Sequence, residues 1–248
     1  MKKNYEEKLP KIDNINDKYS KKVYFIIFSI FYLIYYCGVV RYFIDKSKIF
    51  YNMSFITSLV LSISTLVIMG IVLCIIFWPR LKRDAKLLFK NFKIYFKYNS
   101  HIFLRYFWLY ILSTMFIAVL FEKLGIETKS TNELNLEQVP FWLLALLALF
   151  SAPIVEEGMF RWIIRKITNN KWLFIVISGS LFGLIHINYW GEQELYQLVF
   201  FLQYGILGMM LAESYYNTNN LLASSLLHGT WNFVMLLLQL VFLPFISN

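Results

Sequence analysis

Charge is scarce in this sequence. Of its 248 residues, 16% are Asp, Glu, Lys or Arg, against 58% hydrophobic and 19% aromatic. An ordinary soluble domain carries about 25% charged residues, and a chain so poor in them cannot cover a core of this size with polar surface. Cysteine is limited to Cys37 and Cys74. Both fall inside hydrophobic runs, which excludes a disulfide scaffold and reads as buried, inert thiols. Several catalytic signatures are missing. HExxH is absent, as is GxGD, and GSLFG at 179–183 lacks the serine of a GxSxG elbow. There are no internal repeats and no Gly/Ser linker, which predicts one domain. Met1 to Lys22 is polar and mixed in charge, unlike a cleavable signal sequence.

Long apolar runs fill most of what remains. A bilayer core needs about 20 apolar residues in helix, and seven stretches meet or approach that: 23–40, 53–78, 102–121, 140–163, 171–190, 195–212 and 220–243. The sixth is interrupted by Gln197 and Gln203. The expected fold is therefore all-α, a polytopic transmembrane helical bundle of about seven spans. Residues 1–22 form a cytosolic polar arm, 23–121 the N-terminal transmembrane helices, and 140–243 a transmembrane core that carries the chemistry.

The formal net charge of +9 does not point to nucleic acid, because the basic residues flank the spans. With the N-terminus inside, seventeen Lys and Arg fall on the cytoplasmic side and five outside. This positive-inside bias predicts a multi-pass protein of the cell membrane with a cytoplasmic N-terminus, in contact with the bilayer and its anionic lipid. Trp78 to Lys97, within the basic segment 79–101, alternates basic and apolar residues at helical spacing and predicts an interfacial amphipathic helix. The outer loop 122–138 ends at Pro140, a residue suited to the first turn of the fourth span. Richness in Lys, Asn, Ile, Phe and Tyr suggests a bacterial source.

The few ionisable groups inside the spans carry the functional information, since a charge in hydrocarbon costs several kcal/mol. Apart from Arg105, placed near a span end where it can snorkel, they are Glu156, Glu157 and Arg161 in span four, His186 in span five and His228 in span seven. His101 sits in the interface before span three. Glu157 and Arg161 are i,i+4 and share a helix face, so the arginine can hold the carboxylate ionised. Glu156 is turned about 100° away. Phe182 can shield His186, and Asn232 can fix the tautomer of His228 or donate to an oxyanion, both again at i,i+4. Gly179 and Gly183 allow close helix approach beside His186. At 1.5 Å per residue Glu156 and His228 lie about 14 and 12 Å from the inner ends of their spans, and His186 about 22 Å. Glutamate and two histidines in a low-dielectric cavity suit activation of water. The same Glu156, His186 and His228 suit a divalent metal such as Zn2+.

EEGMFR (Glu156 to Arg161), FGLIH (Phe182 to His186) and HGTWN (His228 to Asn232) resemble the EExxxR, FxxxH and HxxxN motifs of the CPBP family. Its members are the CAAX prenyl proteases and the bacteriocin-processing and immunity membrane proteins, also called Abi. The resemblance covers about 150–235. It implies an intramembrane endopeptidase, glutamic or metallo, in which Glu156 activates water and His186 assists. His228 and Asn232 then form the oxyanion or positioning pair, and Glu157 with Arg161 braces the site. The implied substrate is a membrane-associated protein or peptide: a CAAX-type protein, a leader, a pheromone or a bacteriocin. Two rival readings are a catalytically silent protein that binds a membrane partner or serves bacteriocin self-immunity, and a proton-coupled transporter, which would favour repeats and broken helices.

Overall fold

A computed structural model of the protein describes residues 9–10, 20–32, 55–125, 141–187 and 195–246. Most of the predicted N-terminal arm, the rest of the first predicted span with Cys37, the outer loop beyond Gly125 with Pro140, and Trp190 lie outside the described residues. Seven helices make up the rest: α1 (Lys21–Phe31), α2 (Phe55–Lys90), α3 (Phe92–Leu124), α4 (Phe141–Ile167), α5 (Lys171–Ile185), α6 (Phe201–Thr218) and α7 (Leu221–Ile246). A 3-10 turn, Leu195–Phe200, leads into α6, and no strand occurs among the described residues. The chain is an all-helical bundle. Phe92–Leu124, Phe141–Ile167, Gln197–Thr218 and Leu221–Leu238 are each long and apolar enough to cross a membrane, and α5 is a shorter apolar helix. Their outward surface fits lipid: Trp108, Leu112, Met115 and Phe116 of α3 and Trp142 and Phe150 of α4 are all exposed. A water-soluble protein does not present so large a continuous apolar face.

The axis of the bundle is α6, packed by α3, α5 and α7. Its 18-residue hydrophobic window is 61% buried, against 17% for that of α3, so the helix that composition makes the least apolar is the one most enclosed by protein. Close approach explains the tight α5–α6 contact. A Cβ built on Gly208 would lie 2.7 Å from the carbonyl oxygen of Gly179, well inside van der Waals contact, so the two backbones touch where any side chain would separate them. α4 packs on α7 and α2, and α1 covers the far end of α4 through Tyr24 against Trp162 (5.2 Å between ring centroids) and Phe28 against Phe160 (6.0 Å).

The basic stretch 79–101 is helical, but it is not a separate surface helix. α2 runs on through Pro79 to Lys90, Asn91 breaks the chain, and α3 begins at Phe92. Leu81, Asp84, Leu88, Tyr95, Tyr98, Asn99 and Ile102 are buried against the bundle, while Lys82, Phe89, Lys93 and Phe96 face outward. Polar partners draw the inner face in. Asp84 Oδ2 accepts from Arg80 Nε (3.0 Å) and from the backbone N–H of Leu221 (2.7 Å), which begins α7. Arg80 Nη2 also donates to Tyr215 Oη (2.9 Å) and to the carbonyl of Asn219 (2.8 Å), the left-handed residue that ends α6. Asn220 caps α7 through Ala223 N–H and donates to the Asp84 carbonyl, each at 2.9 Å. The N-terminal N–H groups of a helix need such acceptors, and here a carboxylate from α2 is one of them. Arg105 likewise does not snorkel: it pairs with Glu213 of α6, whose Oε2 also accepts from Tyr106 Oη at 2.8 Å. Glu213 lies just past the sixth predicted span, 195–212, and its burial within the helix adds a further charge to the interior.

Two alanine substitutions separate close packing from helix propensity. Gly208→Ala drives a methyl into the Gly179 carbonyl and is expected to cost about 1–3 kcal/mol. Gly205→Ala meets nothing nearer than 3.9 Å and is expected to be neutral or slightly stabilising. Thermal unfolding of the two variants in the same detergent checks the contrast.

Candidate functional site

The predicted motifs meet where α4, α5 and α7 adjoin. α4 is not a uniform helix: π segments Leu147–Ser151 and Gly158–Ile163 flank one short α stretch, Ala152–Glu157, which carries both glutamates. π-bulges change helix register and are frequent at functional sites. The first of them receives α7. Asn232 Nδ2 donates to the carbonyl of Ala148 at 2.8 Å. A Cβ on Gly229 would fall 2.9 Å from the carbonyl oxygen of Leu149, so only glycine lets α7 lie this close to the bulge.

Glu157 and Arg161 are both fully buried. Arg161 Nε donates to Glu157 Oε2 at 3.1 Å, and its Nη1 donates to Ser178 Oγ (2.7 Å) and the Ser178 carbonyl (3.3 Å). Ser178 passes its own proton to the Phe160 carbonyl at 2.7 Å. Ser224 Oγ donates to Glu157 Oε2. His228 Nδ1 lies 3.2 Å from Glu157 Oε1. A carboxylate held beside an arginine accepts only, so the Nδ1 of His228 is the donor, which in the neutral imidazole leaves the lone pair on Nε2. That nitrogen lies 3.9 Å from Glu156 Oε2, an oxygen that is buried and has no hydrogen-bond partner among the described residues.

Phe182 is the wall shared by these groups. Its ring lies 4.9 Å from the Arg161 guanidinium carbon, 4.5 Å from the His186 ring and 5.6 Å, edge-on, from the His228 ring. The first of these is a cation–π contact in a dry setting, where such contacts are strongest. His186 does not lie within its helix, as the predicted span 171–190 implied. α5 ends at Ile185 and His186 is its C-cap, stacked on Tyr204 at 4.8 Å. Its Nδ1 is 2.9 Å from the Phe182 carbonyl, so it too presents Nε2 as the open nitrogen. No hydrogen bond joins His186 to either glutamate among the described residues. Asn232, placed by spacing beside the His228 ring, is turned to Ala148, and Glu157 holds the ring in its stead.

Two of the groups that build the site escaped the motif reading. Ser178 and Ser224 each stand four residues ahead of a motif residue, Phe182 and His228, on the same helix face. A small hydroxyl one turn before a motif residue in an apolar run is the signal that identifies them. A divalent metal would require Glu156, His186 and His228 to converge. Among the described residues no three His, Cys, Asp or Glu side chains stand close enough to share an ion, and His228 spends one nitrogen on Glu157.

Comparison with known proteins adds to this geometry. Residues 138–234 match the family model described as type II CAAX prenyl endopeptidase Rce1-like. Over that segment the chain is similar to the Rce1-like family. Every motif residue, from Glu156 to Asn232, falls within it, in agreement with the CPBP resemblance. The chain is also 26% identical over 117 residues to the UPF0177 protein YbdI of Lactococcus lactis subsp. lactis (strain IL1403). That alignment covers 47% of this chain and 60% of the relative, so it spans somewhat over half the length of the curated protein it matches. No solved structure matches the chain.

Removing one member of a buried ion pair strands the other. Arg161→Ala is therefore expected to cost about 3–5 kcal/mol. Arg161→Lys, which keeps the charge but not the two-armed reach to Glu157 and Ser178, falls between it and wild type. Chemical or thermal unfolding in detergent ranks the three.

Proposed function

We propose that the protein is an intramembrane endopeptidase that hydrolyses a peptide bond of a membrane-associated protein or peptide. The observation that carries this reading is the Glu156 carboxylate. One of its oxygens is buried and without a hydrogen bond among the described residues, and it faces Nε2 of His228 at 3.9 Å in an apolar, protein-lined site. A buried acceptor left unmatched costs stability, and such groups concentrate where a reactant is to be bound.

In the proposed reaction Glu156 takes a proton from water as the water oxygen bonds to the scissile carbonyl carbon. The carbonyl π electrons move onto its oxygen. His186 assists from across Phe182, its Nε2 accepting from the water, and Asn232 has a second amide proton for the developing oxyanion while the first is fixed on Ala148. His228 lies beside Glu156 and completes that side of the site. The C–N bond then breaks, and the proton held by Glu156 passes to the leaving amine, restoring the carboxylate. General base catalysis contributes about 10²–10⁴-fold, and a positioned oxyanion donor about 10²–10³-fold.

A groove of about 590 Å³ between α2 and α4, lined by Ile71, Cys74, Ile75, Trp78, Ser151, Ile154 and Val155, runs beside the segment that carries Glu156. Its apolar lining supports a substrate that approaches from the bilayer. On this reading the protein resides in a bacterial cell membrane with its N-terminus and active site toward the cytoplasm. The Rce1-like segment supports CAAX-type chemistry, and the leader or bacteriocin peptides of a bacterial host are the proposed substrates.

Purified protein incubated with a fluorogenic peptide library provides the test. Glu156→Gln is expected to lower kcat at least 10³-fold with the thermal transition unchanged, and His186→Ala to lower it about 10²-fold. A chelator is expected to leave wild-type turnover intact. Loss of turnover on chelation, restored by Zn2+, would replace the glutamate mechanism with a metallo one. Full activity in Glu156→Gln would refute the site assignment.

A further inference from the structure

Ser224 has a place in this site that deepens the endopeptidase reading, on which its role rests. Glu157 is enclosed by α4, α5 and α7, and three donors fix it. Arg161 Nε and Ser224 Oγ both bind Oε2, and His228 Nδ1 binds Oε1. The two oxygens thus have different tasks: one anchors the carboxylate and the other selects the proton position of the imidazole. Arg161 approaches along α4, the helix that bears Glu157, and it can follow the carboxylate if the glutamate rotates. Ser224 cannot. Its donation comes from α7, one turn before His228 on the same face, so it locks the carboxylate to the helix that holds the ring. Ser224 is fully buried, and its other acceptor, the Leu211 carbonyl, lies at the longer distance of 3.3 Å.

We propose that Ser224 is a positioning residue: by anchoring Glu157 Oε2 it turns Oε1 onto His228 Nδ1, and so keeps His228 Nε2 unprotonated and directed at Glu156. Two consequences follow for the chemistry. The resting imidazole offers a lone pair to the water or to the Glu156 proton and is not an oxyanion donor. It becomes a donor only after a proton has reached Nε2, and the imidazolium so formed is stabilised by the Glu157 carboxylate at its other nitrogen. The serine therefore determines which of two roles His228 takes first. A hydroxyl that merely filled space at this position would leave the tautomer untouched.

The test reads the tautomer directly. The full chain has three histidines, so protein labelled with ¹⁵N-histidine in detergent micelles gives a ring-nitrogen spectrum simple enough to assign with His101→Gln and His228→Gln. Wild type is expected to show a protonated Nδ1 and a bare Nε2 at His228. Ser224→Ala is expected to reduce the preference for that tautomer about tenfold, the change that follows from losing one hydrogen bond to a charged group. Ser224→Thr, which retains the hydroxyl, is expected to restore it. A wild-type spectrum with the proton on Nε2 would overturn the proposal without any variant having to fold. An unchanged tautomer in Ser224→Ala that melts like wild type would overturn it as well. Peptide cleavage measured on the same samples separates the two levels. A chain that cleaves through Glu156 but ignores Ser224 refutes this inference alone. A chain that never cleaves yet shows the Ser224-dependent tautomer supports it and refutes the protease.

Discussion

The ion pair between Glu157 and Arg161 is the constraint around which the interior is arranged. Two opposite charges buried in protein are tolerated only if hydrogen bonds offset much of the hydration they lose. Glu157 accepts from Arg161, Ser224 and His228, and Arg161 is held by Glu157, Ser178 and the face of Phe182. These partners come from α4, α5 and α7. The pair therefore does more than neutralise itself: satisfying it requires three helices to hold one register relative to one another. The placement of His228 beside Glu156 is a by-product of that register.

The adjacent glutamates divide the labour through their surroundings. Glu157 accepts from three donors, while Glu156 Oε2 has none among the described residues and stands 3.9 Å from His228 Nε2. Two identical side chains meet such different surroundings because the helix turns about 100° between them. The π segments on either side let that short stretch face α7 without committing all of α4 to the same angle. This is pre-organisation bought with irregular backbone, and the Asn232–Ala148 hydrogen bond shows one of its uses.

Much of this could be read in the sequence, for a definite reason. Burying charge in an apolar span is so costly that Glu156, Glu157, Arg161, His186 and His228 announced themselves, and i,i+4 spacing paired Glu157 with Arg161 before any coordinates. Helix content followed from apolar run length alone. What could not be read were contacts that depend on neighbouring helices. Arg105 looked like a snorkelling residue because Glu213, more than a hundred positions away, gave no local sign of facing it. The stretch 79–101 looked like a surface helix because its basic residues dominate the pattern, whereas the buried partners of Asp84 and Asn99 on α6 and α7 decide its place. The hydrogen bond from Asn232 to Ala148 is hidden from the sequence for the same reason: spacing places a side chain on a face but does not say what stands opposite.

The carboxylate of Asp84, in α2, accepts the first N–H of α7 across 137 positions of chain. Every motif residue lies in the C-terminal half, and the Rce1-like segment begins only at residue 138. Yet the helix that carries Ser224, His228 and Asn232 has its start fixed by a residue outside that segment. A chimera that grafted the motif-bearing half onto another protein's N-terminal helices would inherit all the chemistry and lose the anchor that aims it. The apparent modularity of the family segment is thus a property of its alphabet, while the machine is indivisible.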